Sequence, residues 1–355
     1  MTRRPAVLLA FFSAIAGLGG TVIAAHLTPA LFPHAWLAAV ATWAGWPLGC
    51  MGLIFIHTLT GGEWGYALRP QLLAGTSTLA LLPLALIPLI FVAQDLYPWL
   101  RPDVAAQLEN RFYLNLRAFV ERLIAYLVIW LALGALIFAG LRRGGPAAKL
   151  RLLAPLGLIL LAVTITFAAI DATMSLEPHF ASSSYGLIAI AGMGLFALSI
   201  SVFSAAAAEP PGSKILRNFG RLLLALVVLW AYLDFVQFLI IWQSDLPSEA
   251  PWYLVRSSGG WGAVAAAVAA GHFFLPFFIL LSAKAQETRA GIACASGLLI
   301  LSAMARGWWL VIPASGRAFG AIDALAMLGV AGIAALFSLL AGRFVARPQL
   351  VRGHV

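Results

Sequence analysis

Ten stretches of about twenty apolar residues recur along this chain, at roughly 6–25, 36–59, 72–93, 119–140, 152–172, 185–207, 218–242, 261–282, 290–312 and 319–341. At a rise of about 1.5 Å per residue, each is long enough as a helix to cross a hydrocarbon core about 30 Å thick. Within that core every backbone N–H and C=O needs a partner in the protein, which leaves helices and closed barrels as the only spanning structures. Barrel strands alternate in polarity over about ten residues, whereas these runs are longer and evenly apolar. Pro83 and Pro88 fall inside the third run, which membrane helices tolerate because neighbours satisfy the freed backbone groups. The first run exceeds the 7–15 residues of a signal-peptide core and reads as a helix that stays. Only 10% of residues are charged and 62% are hydrophobic, against about 25% charged in soluble domains. The expected fold is an all-α polytopic membrane protein of about ten transmembrane helices, a single integral membrane domain over 1–355.

A formal charge of +9 and a pI near 10.2 suggest a polyanion partner. The basic residues, however, are scattered over short connectors and tails, which fits topology signals and anionic lipid and argues against nucleic acid. One set of segments carries Arg3, Arg4, Arg69, Arg142, Arg143, Lys149, Arg151, Lys214, Arg217, Arg221, Lys284, Arg289, Arg343, Arg347 and Arg352; the alternate set carries Arg101, Arg111, Arg117, Arg122, Arg256 and Arg317. By the positive-inside rule both termini are expected in the cytoplasm, with the connector 94–118 and the acidic loop 244–256 outside. No extramembrane segment is large enough for a catalytic domain, so chemistry is expected within or at the edge of the bundle. Cys50 and Cys294 lie inside apolar runs, and CxxC and CxxCH are both absent. Covalent haem and iron–sulfur ligation are therefore not expected in this chain. The sequence has no Walker A loop and no GxGxxG after a strand.

Ionisable residues inside spans are costly and usually face a bundle interior or a cavity. On this topology Asp171, Asp234, Arg306, Asp323, Glu121 and Arg122 all fall toward the outer side, and His179 sits in the adjoining loop. Asp171, Asp323, Glu121 and Arg122 lie near span ends, where side chains can reach water. Asp234 and Arg306 lie deeper and suit either a structural ion pair or a polar pocket for proton-coupled chemistry. His57 and His272 differ in depth by about 10 Å or more, and His26 and His34 flank a short loop, so no pair suits a bis-histidine haem. His57, beside Thr58 and Thr60, reads as a satisfied core histidine or as part of a cytoplasmic proton path.

Four stretches, HTLTGGEWG (57–65), YLNLRAFVERLIAY (113–126), DATMSLEPHFASSSYG (171–186) and LWAYLDFVQFLIIWQSDLPSEAPWYLVR (229–256), together resemble the quinol-oxidoreductase membrane subunits of alternative complex III, most closely the second of its two large membrane subunits. That family belongs with the polysulfide-reductase-type membrane anchors. The resemblance implies two four-helix bundles plus peripheral helices, a quinone (menaquinone or ubiquinone) as cofactor, and no haem or iron–sulfur centre in this chain. It implies as partners a homologous membrane subunit, an iron–sulfur protein and multihaem cytochrome c subunits, in the bacterial inner membrane. On this reading Asp171, His179 and Asp234 take up or relay protons released by quinol at the outer side, since carboxylate and imidazole can accept a proton near neutral pH. Arg306, Glu177 and His57 line the quinone or proton path, and Glu177 before Pro178 orders its loop. The chain departs from the family in Ala172 where tryptophan is usual, Asp234 where a small residue is expected, Asp245 for asparagine and Ser248 for a glutamate. Three alternatives remain: a structural subunit that binds no quinone, a divergent stand-alone homologue, or a secondary transporter with helix breaks near Gly192, Gly194 and Pro276.

Overall fold

A computed structural model describes residues 3–108, 110–141, 145, 147–208 and 212–345. Of the basic residues used for topology, Arg142, Arg143, Arg347 and Arg352 lie outside the described residues, as do the side chains of Arg3 and Arg343. The described chain is helical without a strand. Ten helices are long and apolar enough to cross a membrane: α1 (Arg4–Leu27), α2 (Pro29–Thr60), α3 (Glu63–Phe91), α4 (Leu116–Leu141), α5 (Ala147–Leu176), α6 (Tyr185–Ala207), α7 (Ser213–Ser244), α8 (Trp261–Leu281), α9 (Arg289–Ser315) and α10 (Ala321–Gly342). This is a multi-pass membrane protein, with each apolar run of the sequence falling on one of these helices and overrunning its ends by two residues at most.

Several helices outrun their apolar runs. α7 has 32 residues, about 48 Å of helix, and α3 begins nine residues before its run, taking in Arg69 and Gln71. Hydropathy marks where the chain meets lipid, while intrahelical hydrogen bonding continues past that edge. α3 is interrupted by a 3-10 turn at Thr78–Leu81, just before Pro83. Hydroxyls cover carbonyls around the break: Thr76 Oγ1 donates to Leu72 O, Ser77 Oγ to Ala74 O and Thr78 Oγ1 to Gly75 O, at 2.7–2.9 Å. In α8 a π-helical turn occupies Ala269–Phe274, directly before Pro276.

α2–α5 form one four-helix bundle and α6–α9 a second, joined where α2 packs along α6 and α9. Glycine makes the central contact close. A Cβ on Gly49 of α2 would come within 2.7 Å of the Ala197 side chain on α6, and one on Gly45 would meet Met193. α10 lies against α2 and α3, and α1 packs mainly on α10. Those two run antiparallel, with Gly17 opposite Gly329, Gly20 opposite Leu325 and Gly332 opposite Ala14. In lipid, helices gain little by hiding apolar surface from each other, so backbone approach over small residues is what holds such a pair. The rest of α1 turns Leu9, Phe12 and Ile23 outward.

The connectors at 92–115, 177–184, 245–260 and 316–320 share one face of the molecule, and the start of α1 and the end of α10 share the other. The connector 244–256, which the sequence reading places outside as an acidic loop, is not loop throughout. Ala250–Ser257 is a short helix with Trp252 and Arg256 buried. Trp252 and Arg256 are four apart, on one side of that helix, and this side turns inward.

The α1–α10 contact yields a comparison within one helix. Gly17→Ala should destabilise the protein by about 1–3 kcal/mol, because the new methyl meets the Gly329 backbone. Gly19→Ala, with open space around it, should be neutral or slightly stabilising. Thermal unfolding of both variants in the same detergent reads the difference directly.

Candidate functional site

Besides the exposed Arg117–Glu121 pair within α4, four acid–arginine pairs lie in the half of the protein nearest the connector-bearing face. In the first, α4 supplies Arg122 and α5 supplies Asp171. Arg122 Nε donates to Asp171 Oδ2 at 2.9 Å and Nη2 to Oδ1 at 2.8 Å, while Nη1 reaches Tyr113 O at 3.1 Å. Tyr126, one turn further along α4, donates its hydroxyl to Asp171 Oδ2 at 2.8 Å. The guanidinium also lies 3.8 Å from the centre of the Tyr113 ring. Asp171 is only 4% exposed. The reading of Asp171 and Asp323 as span-end residues that reach water is therefore corrected, while Arg122 keeps 20% of its side chain exposed. Asp323 is fully buried, bound through both carboxylate oxygens by Arg317 at 2.6 and 2.7 Å. In each case an arginine from another segment replaces water. Glu121 does reach the surface, where it pairs with Arg117.

The third pair organises the loop between α5 and α6. Glu177 accepts from Arg256 Nη1 at 2.5 Å, and Arg256 Nη2 donates to Leu310 O of α9 at 2.8 Å. Arg256 lies 3.8 Å over the Trp252 ring, and Trp252 stacks on Phe180 at 4.8 Å. Trp309 Nε1 donates to Arg256 O. Glu177 thus ties its loop to Arg256, which the sequence reading counted among the basic residues of the outer connectors. Burial works against the charge of Arg256 and lowers its pKa, and Glu177 opposes that shift.

The fourth pair is Arg306 with Asp234, 2.8 Å apart between α9 and α7. Arg306 also lies 4.9 Å from the Trp230 ring, against which His272 packs edge-on at 4.3 Å. The π-helical turn of α8 carries His272, whose Nδ1 is 2.7 Å from Ser302 Oγ. Ser302 Oγ also lies 3.2 Å from Leu299 O. One turn beyond Asp234, Gln237 accepts from Ser182 at 2.6 Å and donates to Tyr253 Oη at 3.2 Å. Burial, reinforced by the Asp234 carboxylate, pushes the Tyr253 phenol up to about 12, so it keeps its proton at neutral pH.

The six residues singled out in the sequence are not one cluster. Asp171 and Arg306 line a common central cavity of about 410 Å³, whose polar wall also includes Tyr126, Gln237 and His272 and whose remaining lining is almost wholly apolar. Asp234 faces a second cleft of about 810 Å³ between α7 and α8, which Arg306 also lines. Glu177 stands behind Arg256. His179 is exposed, with no hydrogen bond or ion pair among the described residues. His57 is at the opposite face, 3.0 Å from Gly62 O and edge-on to Tyr66. Tyr126, Gln237, Tyr253 and the inward Arg256 were missed by sequence reasoning. Spacing carried a signal for two of them: Arg122 and Tyr126 are four apart on α4, and Asp234 and Gln237 three apart on α7. Among the described residues, no group of three or more His, Cys, Asp or Glu is placed to hold a metal ion. No protein-family model and no curated protein matches this chain.

Breaking a buried pair by removing one partner typically costs about 3–5 kcal/mol, whereas replacing both can be nearly neutral. Arg122→Met and Asp171→Asn should each lower stability toward that range, somewhat reduced because Arg122 keeps 20% of its side chain exposed. The double variant Arg122→Met, Asp171→Leu should recover most of the loss. A double-mutant cycle by denaturant unfolding checks this, with additive losses counting against the coupling.

Proposed function

We propose that this protein is the membrane subunit of a quinol-oxidising respiratory complex similar to alternative complex III, in the bacterial inner membrane with both termini cytoplasmic. The observation that carries the reading is the central cavity: an apolar space inside the membrane bundle with the Asp171 carboxylate and the His272 imidazole on its wall. Such a cavity suits a molecule with an apolar tail and a small polar head. A bound quinol would supply two electrons and two protons. Asp171 offers a carboxylate oriented by Arg122 and Tyr126, and His272 offers an imidazole. The chain itself would contribute binding, orientation and proton acceptance, with electrons leaving through haem and iron–sulfur partners at the connector-bearing face. The four stretches that resemble the family carry Arg122, Tyr126, Asp171, Glu177, Asp234, Gln237 and Arg256, and so supply most of that polar half.

A second reading, a structural subunit that binds no quinone, is favoured by the pairing of Asp171, Glu177, Asp234 and Asp323 each with its own arginine. Ion pairs of this kind can serve only to fasten helix ends.

Gentle purification from membranes should bring down haem c and an iron–sulfur protein with the chain. In that complex Asp171→Asn should lower quinol oxidation by about 10²-fold or more if Asp171 takes part in proton transfer. His179→Gln, exposed and unpaired, should act through partner docking or not at all. Assembled Asp171→Asn complex that turns over normally would favour the structural reading, and a colourless protein without partners would count against both.

A further inference from the structure

The cleft between α7 and α8 has a volume of about 810 Å³. Its wall is aromatic, with Phe235, Phe238, Phe273 and Phe277 among its lining, and Tyr232 and Trp242 at its margin are mostly exposed. Helix surface of this kind, in the middle of candidate membrane spans, faces lipid. The floor is polar and includes Asp234, Arg306 and Tyr253, with Arg256 and Ser257 also in the lining.

Two donors on that floor are not fully used. Arg122, Arg256 and Arg317 each donate three or four hydrogen bonds. Arg306 has its one contact with Asp234 Oδ1 and its approach to the Trp230 ring, and no further partner among the described residues. None of its nitrogens is a buried atom lacking a partner, so the unused N–H groups face cavity space. Arg306 is also the residue, alone among those described, that lines both the cleft and the central cavity. Tyr253 accepts from Gln237, and its own proton has no acceptor among the described residues. A guanidinium and a phenol with free donors, in membrane depth, call for an acceptor.

We infer that this cleft is a binding site for a membrane-borne amphiphile with a neutral, carbonyl-type head, which accepts hydrogen bonds from Arg306 and Tyr253 while its tail lies along the aromatic wall. Charge balance sets the class of head. Asp234 offsets Arg306, Glu177 offsets Arg256, and Asp245 at the cleft's margin adds a further negative charge. An anionic head would meet no net positive field, whereas a neutral acceptor needs only the donors. The ester carbonyl of a glycerolipid and the carbonyl of an alkylated quinone share this chemistry. The inference stands apart from the redox reading, because the donors and the cleft are the same in a protein with no electron-transfer partner.

The test uses the full chain in phosphatidylcholine nanodiscs with three diazirine-bearing probes: a dioleoylglycerol, a decylbenzoquinone and, as the anionic contrast, a phosphatidate. Cross-links are mapped by peptide mass spectrometry, with the lipid-facing side of α1 as internal reference. For at least one neutral probe, label in 228–242 and 265–277 should exceed that on α1 several-fold. Loss of one hydrogen bond corresponds to roughly fivefold in binding. Tyr253→Phe and Arg306→Met should therefore each cut cleft labelling about fivefold and leave α1 labelling unchanged, while Arg306→Lys retains part of it. Should Arg306→Met fail to fold, Tyr253→Phe, which removes a single oxygen, decides alone. Competition by unlabelled dioleoylglycerol or unlabelled decylbenzoquinone identifies which source of carbonyl the cleft prefers. Equal labelling of cleft and α1, or cleft labelling indifferent to both substitutions, overturns the site, and preferential labelling by the phosphatidate overturns the neutral head.

Discussion

A charge buried in a membrane bundle must find its counter-charge on another segment at the same depth, because there is no water to find instead. That constraint orders the polar half of this protein. Arg122 and Asp171 fix α4 to α5, Arg306 and Asp234 fix α9 to α7, and Arg317 and Asp323 fix the approach to α10. Each pair works only if the two helices stand in register, so the ion pairs select one axial alignment from many that greasy helices would permit. Around them packing is supplied by shape, as at Gly49 on Ala197 and Gly17 on Gly329.

Arg256 shows how far one such pair can reach. Its guanidinium is held by Glu177, by Leu310 O, by its own helix and by the face of Trp252. Through those contacts the α5–α6 loop, the short helix Ala250–Ser257 and the end of α9 become one lid over the second bundle. That unit adjoins the central cavity, where Trp252 is part of the wall. Among the four paired arginines Arg122, Arg256, Arg306 and Arg317, Arg306, between the two cavities, makes the fewest contacts with acceptors. The π-helical turn at Ala269–Phe274 belongs to the same region. Such turns are rare and concentrate at functional sites, and this one carries His272 to the cavity wall.

Ten apolar runs, read with the requirement that backbone groups be satisfied in lipid, determined the number of helices, their order and the alternation that gathers Asp171, Asp234, Arg306 and Asp323 in one half. Depth is a one-dimensional property, so the sequence could state it. Which arginine meets which acid was not in it: Arg256 and Arg317 read as connector charges, and their inward turn depends on a short helix and a loop whose course is set by contacts 50 to 80 residues away. Tyr126 and Gln237 read as ordinary members of apolar spans, since a hydroxyl or an amide becomes a site only when its partner is brought opposite. The division of the polar residues between two cavities, and the position of Arg306 on the wall of both, were decided by tertiary structure alone, because rotation of a helix about its axis and the identity of its neighbours are fixed by packing and not by hydropathy.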